Sequence, residues 1–351
     1  MNQHKYIGMD VHKATTVNAV RDSKGEVIAE GIIQTKSATI LDSIRGQRGI
    51  LHVVFEEGTH AAWLYDLIRP HVASVVVCDT RKIPAQGNKN DRIDAKRLAE
   101  LLRIGALMPV YHGEKSTRAV KELSRSYIGI IGDCTRIKNR LKSIFRGRGI
   151  DCSGSAVYNP EERKSWLRQL KDEAVRARAD SLWDQLKFLE PLVEKAAKDL
   201  MVEARKHRAD MKILQSIPGI GQFRAAIILG IVGTPHRFRT RKQFWTYSGL
   251  AVVTKTSAEY EVVNGRLVRS NKRPLVRGLN RNYNRALKEV FKGAAQSAAS
   301  GPWKSRFEAM VANGAKESSA RLTLARKIAA ITLALWKRGE RYDEKKLKHA
   351  A

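Results

Sequence analysis

The sequence predicts an α/β N-terminal domain, then long helices, and then a mainly helical C-terminal domain. Strand and helix patterns alternate over the first part of the chain, and helical periodicity dominates residues 116–208 and several segments after residue 213. No apolar run is long enough to cross a membrane, and the N-terminus lacks the apolar core of a signal peptide. We therefore expect a soluble cytoplasmic protein.

The beginning of the chain has the pattern of three strands followed by alternating helices and strands. The segment Asp22–Gly25 has the composition of a hairpin turn between the second and third strands. This order is typical of ribonuclease-H-like folds, although an unrelated α/β domain would contain the same elements. The predicted elements are strands 6–11, 15–21 and 27–34, helix 38–46, strand 51–55, helix 61–68 and strand 73–78.

Helical periodicity then continues through residues 91–102, 116–145 and 162–208. The two long helices are expected to form either a coiled coil used for dimerisation or an antiparallel pair within a bundle. Further helices are predicted at residues 223–231, 275–294 and 320–338. The resulting regions are an α/β domain at 1–112, a helical linker at 113–208, a C-terminal domain at 209–340 and a charged tail at 341–351.

The charge of the chain is unusual for its size. Lys and Arg total 65 against 35 Asp and Glu, which gives a formal net charge of +30 over 351 residues. Residues 1–80 are nearly neutral, with 8 basic and 9 acidic side chains. Residues 118–148 carry 9 basic and 2 acidic side chains, and residues 239–292 carry 13 basic and 3 acidic side chains. Such an excess attracts the phosphates of DNA or RNA. A generally adhesive or ribosome-associated basic protein is the alternative.

Four carboxylates in the N-terminal domain form a candidate metal site. Asp10 lies among apolar residues of the first strand, where an acid is costly unless it is paired or binds a cation. Glu56 ends another apolar strand. Asp91 and Asp94 are three residues apart on a predicted helix, so their like charges share one face. Sites rich in oxygen suit Mg²⁺ or Mn²⁺, and two such ions can catalyse phosphodiester transfer.

Each acid also has a simpler interpretation. Asp10 is compatible with a turn, and Asp91 and Asp94 are compatible with capping of their helix N-terminus. Glu57 competes with Glu56 for the role of ligand, and because strand side chains alternate, only one of the two faces the site. The four acids in this order, on a ribonuclease-H-like strand pattern, favour the metal site.

Five short motifs are distributed along the chain: Tyr6–His12, Val54–His60, Asn88–Lys96, Ser216–Gly221 and Phe244–Leu250. Together they resemble the DEDD-type insertion-sequence transposases, some of which are guided by a bridge RNA. The resemblance covers nearly the whole chain. Its most specific part is the combination of Asn-Asp-x-x-Asp-Ala in the third motif with Ile-Pro-Gly-Ile-Gly in the fourth.

The resemblance implies a RuvC-like nuclease domain, a coiled coil and a C-terminal transposase domain, which act together as a dimer or tetramer. It assigns the four acids as ligands of Mg²⁺ or Mn²⁺. It also implies a serine nucleophile in the C-terminal domain, for which Ser257 lies at the matching place and Ser248 is the rival. By its own chemistry a serine hydroxyl needs a base or a metal to act as a nucleophile.

Basic residues and glycines are candidate nucleic-acid contacts. The turn Ser216–Gly221 is compatible with a helix-hairpin-helix-like element, whose glycines let backbone amides approach phosphates, or with a plain corner between helices. Basic side chains near Ser257 are expected to bind the scissile phosphate, and those on helix 116–145 to bind DNA or a guide RNA unless they are simply solvated. The candidates are Gly219, Gly221, Lys255, Arg266, Arg269, Lys272 and Arg273, together with Arg118, Lys121, Arg125, Arg136 and Arg140.

These expectations describe a bacterial, nucleoid-associated transposase that excises and inserts a mobile element. Its partners would be double-stranded DNA, a structured guide RNA and further copies of the chain. Two other functions use parts of the same pattern. A metal-dependent endonuclease for branched DNA needs the four acids but no serine, and a non-catalytic DNA- or RNA-binding protein needs only the basic segments.

Overall fold

The computed structural model describes residues 3–79, 90–112, 115–255, 260–263, 266–269 and 275–344. The chain divides into two compact units, Met1–His112 and Gly113–Ala351. The first contains a mixed sheet with helices, which fits a ribonuclease-H-like domain, and the second consists mainly of helices. The predicted boundary at residue 208 stays a prediction, because both regions that it would separate lie in the second unit.

A five-stranded sheet lies at the centre of the first unit. The elements are β1 His4–Val11, β2 Thr15–Arg21, β3 Val27–Gln34, α1 Ser37–Arg45, β4 Ile50–Glu56, α2 Ala61–Ile68, β5 Ser74–Cys78 and α3 Asp91–Arg103. The strand order is β3-β2-β1-β4-β5. The first three strands pair antiparallel, whereas β4 runs parallel to β1 and β5 runs parallel to β4. The predicted strands and helices of this unit are therefore confirmed to within one or two residues at their ends.

Strand alternation sorts the side chains of this sheet onto two faces. One face packs against α1 and α2, and the other packs against α3. On the α3 face, Val54 and Cys78 form a cluster with Leu98 of α3. On the opposite face lie the buried apolar side chains Ile7, Met9, Val20, Val53, Phe55 and Val77.

Gly8 lets α3 approach the middle of the sheet. A Cβ atom at this position would lie 2.1 Å from the carbonyl oxygen of Ala95 and 2.6 Å from the backbone nitrogen of Ala99. Both alanines are fully buried. The strand and the helix backbone are thus in contact, and no larger side chain fits between them.

Ion pairs hold the outer side of α3 against β2 and β3. Lys96 Nζ lies 2.7 Å from Glu30 Oε1, and Glu100 binds Arg103 on its own helix and lies 3.7 Å from Arg21 Nε. Arg21 also donates a hydrogen bond to the carbonyl of Lys96, at 3.2 Å. Water screens such partly exposed pairs, so they orient the helix more than they stabilise the fold.

The second unit is largely helical. Its helices are α4 Lys115–Arg146, α5 Arg163–Arg168, α6 Glu173–Ala204, α7 Arg208–Ser216, α8 Gln222–Val232, α9 Arg241–Tyr247, α10 Arg285–Ala299, α11 Lys304–Ala312 and α12 Glu317–Arg338. Its strands are β6 Val252–Lys255, β7 Tyr260–Val263, β8 Arg266–Arg269 and β9 Leu275–Leu279, with β6 paired to β9 and β7 paired to β8. The larger core contains the buried Phe291 and Trp303. Within the described ranges no helix is both long enough and apolar enough for a membrane span.

The 32-residue helices α4 and α6 pack against each other in antiparallel directions. The rings of Phe145, at the end of α4, and Trp183, near the start of α6, have centroids 5.9 Å apart. At the other end of the pair, Val120 of α4 shares a hydrophobic cluster with Leu200 and Ala204 of α6. The pair forms within one chain, which is one of the two arrangements that the sequence allowed, and dimerisation through these helices stays a prediction.

Two of the predicted helices are interrupted in the structure. The helix expected at 162–208 is broken, because the side chain of Asp172 accepts a hydrogen bond from the backbone of Val175 at 3.2 Å and starts a new helix, α6. The helix expected at 275–294 begins as strand β9 and becomes helical only at α10. Gly278 in β9 has a φ of +91°, which a right-handed helix cannot contain.

Replacing Gly8 with alanine is expected to destabilise the first unit by about 1–3 kcal/mol, because the new methyl group would overlap the backbone of α3. Hydrogen exchange of peptides from β1 and α3 measures this loss. Gly58→Ala is the control, since a Cβ atom there has open space around it. Unchanged protection of α3 in Gly8→Ala would show that the helix does not need this close approach.

Candidate metal centre and nucleic-acid surfaces

Asp10 and Glu56 lie near the carboxyl ends of two neighbouring parallel strands. Met9 of β1 pairs with Phe55 of β4, so the residue that follows each of them lies at the same edge of the sheet. Alternation from Gly8 and from Val54 directs both acids to the face that α3 covers. The register of the sheet therefore places these two candidate ligands on adjacent strands.

Asp91 and Asp94 occupy the first turn of α3. The N-cap of this helix is Asn90, whose side chain accepts a hydrogen bond from the backbone of Arg92 at 3.0 Å. The simpler interpretation of the two acids as caps is therefore not needed for this helix. Their carboxylates instead lie where the positive end of the helix dipole favours negative charge.

Three ligand atoms converge at this edge of the sheet. Oδ2 of Asp10 lies 3.1 Å from Nε2 of His12, which lies 3.5 Å from Oδ2 of Asp91. All three residues offer a ligand atom within 4.8 Å of the others. Atoms at these separations have a common centre about 2.4 Å or less from each of them, which is close to the bond lengths of divalent cations. Two carboxylates and an imidazole are a donor set that a cation such as Mn²⁺ accepts, so the residues fit a divalent metal ion.

Electrostatic repulsion at Asp10 also favours a cation. Burial raises the pKa of Asp10 above its ordinary value, the contact with His12 opposes this shift, and the nearby negative charges of Asp91 and Asp94 raise the pKa further. The side chain of Asp10 is 18% exposed, so its charge is only partly hydrated. A bound cation would offset the cost of keeping these three carboxylates ionised together.

The neighbouring acids Glu56 and Glu57 lie on different faces. Glu56 pairs with Cys78 across the strands, and burial followed by the charge of Glu56 raises the pKa of the Cys78 thiol to about 12. Glu57 instead lies 2.8 Å from Nε2 of His112, whose ring stacks on Tyr65 of α2. This geometry favours Glu56 over Glu57 on the α3 face, as strand alternation predicts. Among the described residues, neither Glu56 nor Asp94 belongs to the group of ligand atoms that lie within 4.8 Å of each other.

His12 is the residue at this centre that the sequence analysis did not select. It stands two positions after Asp10, directly after β1, and its ring lies beside Asp10. A metal-ligating residue type at that spacing was a signal that the pattern contained. The motif Tyr6–His12 was used only as part of the family resemblance.

Comparisons with known proteins agree with this architecture. The DEDD transposase model of IS110 matches residues 7–148, and the model of the transposase IS116/IS110/IS902 family matches residues 211–309. The chain belongs to the DEDD-type insertion-sequence transposases. The resemblance inferred from the five motifs is thereby confirmed, and family membership implies DNA binding and an enzyme that cleaves and rejoins DNA.

Two curated relatives are similar to this transposase over most of their lengths. The transposase for insertion sequence element IS1533 of Leptospira borgpetersenii is 24% identical over 247 residues, which are 65% of this chain and 70% of the relative. The transposase for insertion sequence element IS1111A of Coxiella burnetii is 23% identical over 278 residues, which are 77% of this chain and 75% of the relative. The family is typically dependent on divalent metals, in keeping with the acids described above.

The two serine candidates of the C-terminal domain differ in what the structure describes. Ser248 is the C-cap residue that follows α9, is fully buried, and donates a hydrogen bond from its hydroxyl to the carbonyl of Phe244 at 2.7 Å. A hydroxyl in this position closes a helix end and does not reach a DNA phosphate. Ser257 lies outside the described residues, between β6 and β7 in the chain, and its role as nucleophile stays a prediction.

The turn after α7 combines one closely packed glycine and one open glycine. A Cβ atom at Gly219, which has a φ of +78°, would lie 2.1 Å from the carbonyl oxygen of Ala294 on α10. Arg224 fixes the same turn by donating to the carbonyl of Gly219 at 2.8 Å. Gly221 is exposed and has open space around it. Close packing against α10 therefore accounts for a glycine at position 219, whereas Gly221 has room for a contact with a phosphate. The helix-hairpin-helix-like element stays a prediction.

Five basic side chains of α4, which we call the basic face, lie along one side of that helix by its 3.6-residue period. Two of its arginines pair with acids one turn earlier, Arg125 with Glu122 at 2.8 Å and Arg136 with Asp133. These pairs are exposed and contribute little to stability, so a phosphate can replace the acid. The members of the basic face are Arg118, Lys121, Arg125, Arg136 and Arg140.

The basic residues predicted around Ser257 are only partly described. Lys255 ends β6, and Arg266 and Arg269 begin and end β8, with the side chain of Arg266 exposed. Lys272 and Arg273 lie outside the described residues. The contacts of all five with a scissile phosphate stay predictions.

With a chelator present, Asp10→Asn is expected to stabilise the first unit at pH 7. Because burial and neighbouring acids raise the pKa of Asp10, the folded protein binds a proton there more tightly than the unfolded chain does. The free energy of unfolding of the wild-type protein therefore falls as the pH rises above 3.8 through the raised pKa, and an amide removes this loss. Hydrogen exchange of peptides from β1 and β4 measures the difference.

The control for this experiment is Asp42→Asn, which changes an exposed carboxylate on α1 and is expected to leave the exchange unchanged. The advantage of Asp10→Asn should shrink as the pH is lowered toward 4. Faster exchange in Asp10→Asn than in the wild type at pH 7 would show that the ionised Asp10 does not destabilise the folded protein.

Proposed function

We propose that this transposase excises and inserts its mobile element by metal-dependent phosphodiester transfer with a serine nucleophile, guided by a bridge RNA. The observation that carries the metal-dependent part is the convergence of Asp10 and Asp91 with His12 at the edge of the sheet. Asp94 adds negative charge at the same place, and Glu56 lies on the adjacent strand facing α3. The metal would be Mg²⁺ or Mn²⁺.

Asp10, Asp91 and Asp94 would hold the divalent cation, which would supply charge stabilisation to the attacking hydroxyl and to the departing oxygen of the phosphodiester. The side chains of the chain itself keep the site in place. α3 brings Asp91 and Asp94 over the end of β1, and Asn90 satisfies the helix end so that the acids remain available. The partial burial of Asp10 limits its hydration, which strengthens its attraction to a cation.

The serine part of the proposal follows the family resemblance at Ser257. Its Oγ would form a bond to the phosphorus of a DNA strand while the bond from phosphorus to the departing DNA oxygen breaks. The serine proton is released to solvent, and the departing oxygen takes one up. One DNA end then remains joined to Ser257 through a phosphoester, and attack by the hydroxyl of another DNA end reverses the step.

The basic surfaces supply the nucleic-acid contacts of the proposal. The nearly neutral first part of the chain is followed by two strongly basic segments, one of which contains the basic face of α4. Salt-sensitive binding to phosphates is the expected property of such a face. The basic residues around Ser257 would hold the scissile DNA, and a dimer or tetramer would join the two element ends.

Cleavage and joining of element-end DNA in the presence of Mg²⁺ tests the chemistry. Ser257→Ala is expected to abolish both reactions and the covalent protein–DNA product, and Asp91→Asn is expected to slow both by about a hundredfold or more. Ser248→Ala is the matched control, because losing its hydrogen bond to Phe244 costs about 1 kcal/mol of stability and touches no DNA.

Each alternative function gives a different pattern in the same assay. Hydrolytic cleavage that survives in Ser257→Ala would indicate an endonuclease that uses activated water. Activity that is unchanged in Asp91→Asn, or that persists in a chelator, would remove the metal-dependent mechanism. DNA or RNA binding by the wild-type protein without any cleavage or joining in Mg²⁺ would indicate a non-catalytic binding protein.

The guide RNA is tested by sequencing the nucleic acid that copurifies with the protein. One defined non-coding RNA, present in about equal amount to the protein and lost at high salt, is expected. Replacing the basic face with glutamines should weaken this retention. Random RNA fragments, retained equally by the wild-type protein and that variant, would contradict guidance through these side chains.

A further inference from the structure

The turn that carries His12 is fixed by strands β2 and β3. The backbone N–H of His12 donates to the carbonyl of Thr15 at 2.9 Å, and its own carbonyl accepts a hydrogen bond from Oγ1 of Thr35 at 2.9 Å. The hydroxyl of Thr35 also lies 2.9 Å from that of the buried Thr16. The position from which the imidazole extends is therefore set by the sheet itself.

From this position the ring reaches between two acids on different elements. Its Nε2 atom is 3.1 Å from Asp10, at the end of β1, and 3.5 Å from Asp91, at the start of α3. Two ligands at neighbouring corners of an octahedral site with bonds of about 2.1 Å are separated by about 3.0 Å. The nitrogen thus lies at the separation expected of a third ligand and not at the position of the cation itself.

We infer that His12 is a direct ligand of the divalent metal ion through Nε2, completing a set with Asp10 and Asp91. This inference rests on the metal site of the proposed function and adds a nitrogen donor to a site otherwise built from carboxylates. A neutral imidazole can share a cation with two carboxylates without adding charge. Because imidazole is a softer donor than a carboxylate, the site prefers Mn²⁺ to Mg²⁺ more strongly than four acids alone would.

An ion-pair role is the competing explanation of the same distances. A protonated imidazole between two carboxylates would offset one of their two negative charges and would leave when a cation binds. The two roles respond oppositely to His12→Gln. Loss of a ligand weakens cation binding, whereas loss of a positive side chain that competes with the cation strengthens it. His12→Asp then tests whether an oxygen donor can take the place of the imidazole.

The decisive measurement is electron spin-echo spectroscopy of Mn²⁺ bound to the full chain, purified without a histidine tag. The wild-type spectrum is expected to show coupling of the manganese to a ¹⁴N nucleus. His12→Gln should lose this coupling, and its affinity for Mn²⁺ should fall about tenfold or more. Its affinity for Mg²⁺, measured by competition with Mn²⁺, should fall less. His12→Asp should also lack the coupling but bind Mg²⁺ more tightly than His12→Gln does.

Two control variants separate the failure of this inference from that of the metal site. His71→Gln changes an exposed histidine at the other end of the sheet and should keep both the coupling and the affinity. Asp10→Asn should weaken Mn²⁺ binding if the metal site is correct. If Mn²⁺ binding depends on Asp10 but the spectrum shows no nitrogen coupling, the role of His12 alone is overturned. If Asp10→Asn leaves Mn²⁺ binding unchanged, the metal site itself is overturned.

Discussion

The contact between Gly8 and the backbone of α3 is the constraint on which the candidate metal centre depends. Two acids lie at the ends of parallel strands and two lie in the first turn of a helix, so their distance is set by how closely that helix lies against the sheet. A strand residue without a side chain and two buried alanines allow backbone-to-backbone contact. The ion pairs of Lys96 and Glu100 then favour one orientation of the helix about that contact.

The same geometry places like charges together before any metal binds. The fold tolerates the repulsion among Asp10, Asp91 and Asp94, because buried apolar side chains on both faces of the sheet stabilise it. The second unit has the opposite character, with basic segments that attract phosphates. The chain thus has the side chains that favour cations in one unit and the segments that favour the nucleic-acid backbone in the other.

Local patterns predicted most of the first unit, because alternating strands and short amphipathic helices are determined by residues close in sequence. Alternation places Asp10 and Glu56 on one face only once the register of β1 and β4 is known, because that register pairs Met9 with Phe55. His12 was missed since its role depends on the distance to Asp91, which only the packing of α3 determines. The continuous helix predicted at 275–294 failed at Gly278, where pairing with β6 outweighs helical periodicity. Sequence patterns did not indicate the burial of Ser248 either, because this burial results from a core built from distant segments.

The division into two units has a consequence for the order in which this enzyme forms. All four acids and His12 belong to the unit Met1–His112, and the basic face begins only after it. During synthesis the first unit leaves the ribosome first and can fold as a unit while the basic segments are still being translated. The side chains of the candidate cation site are therefore complete in the nascent chain before the basic face of α4 has been synthesised.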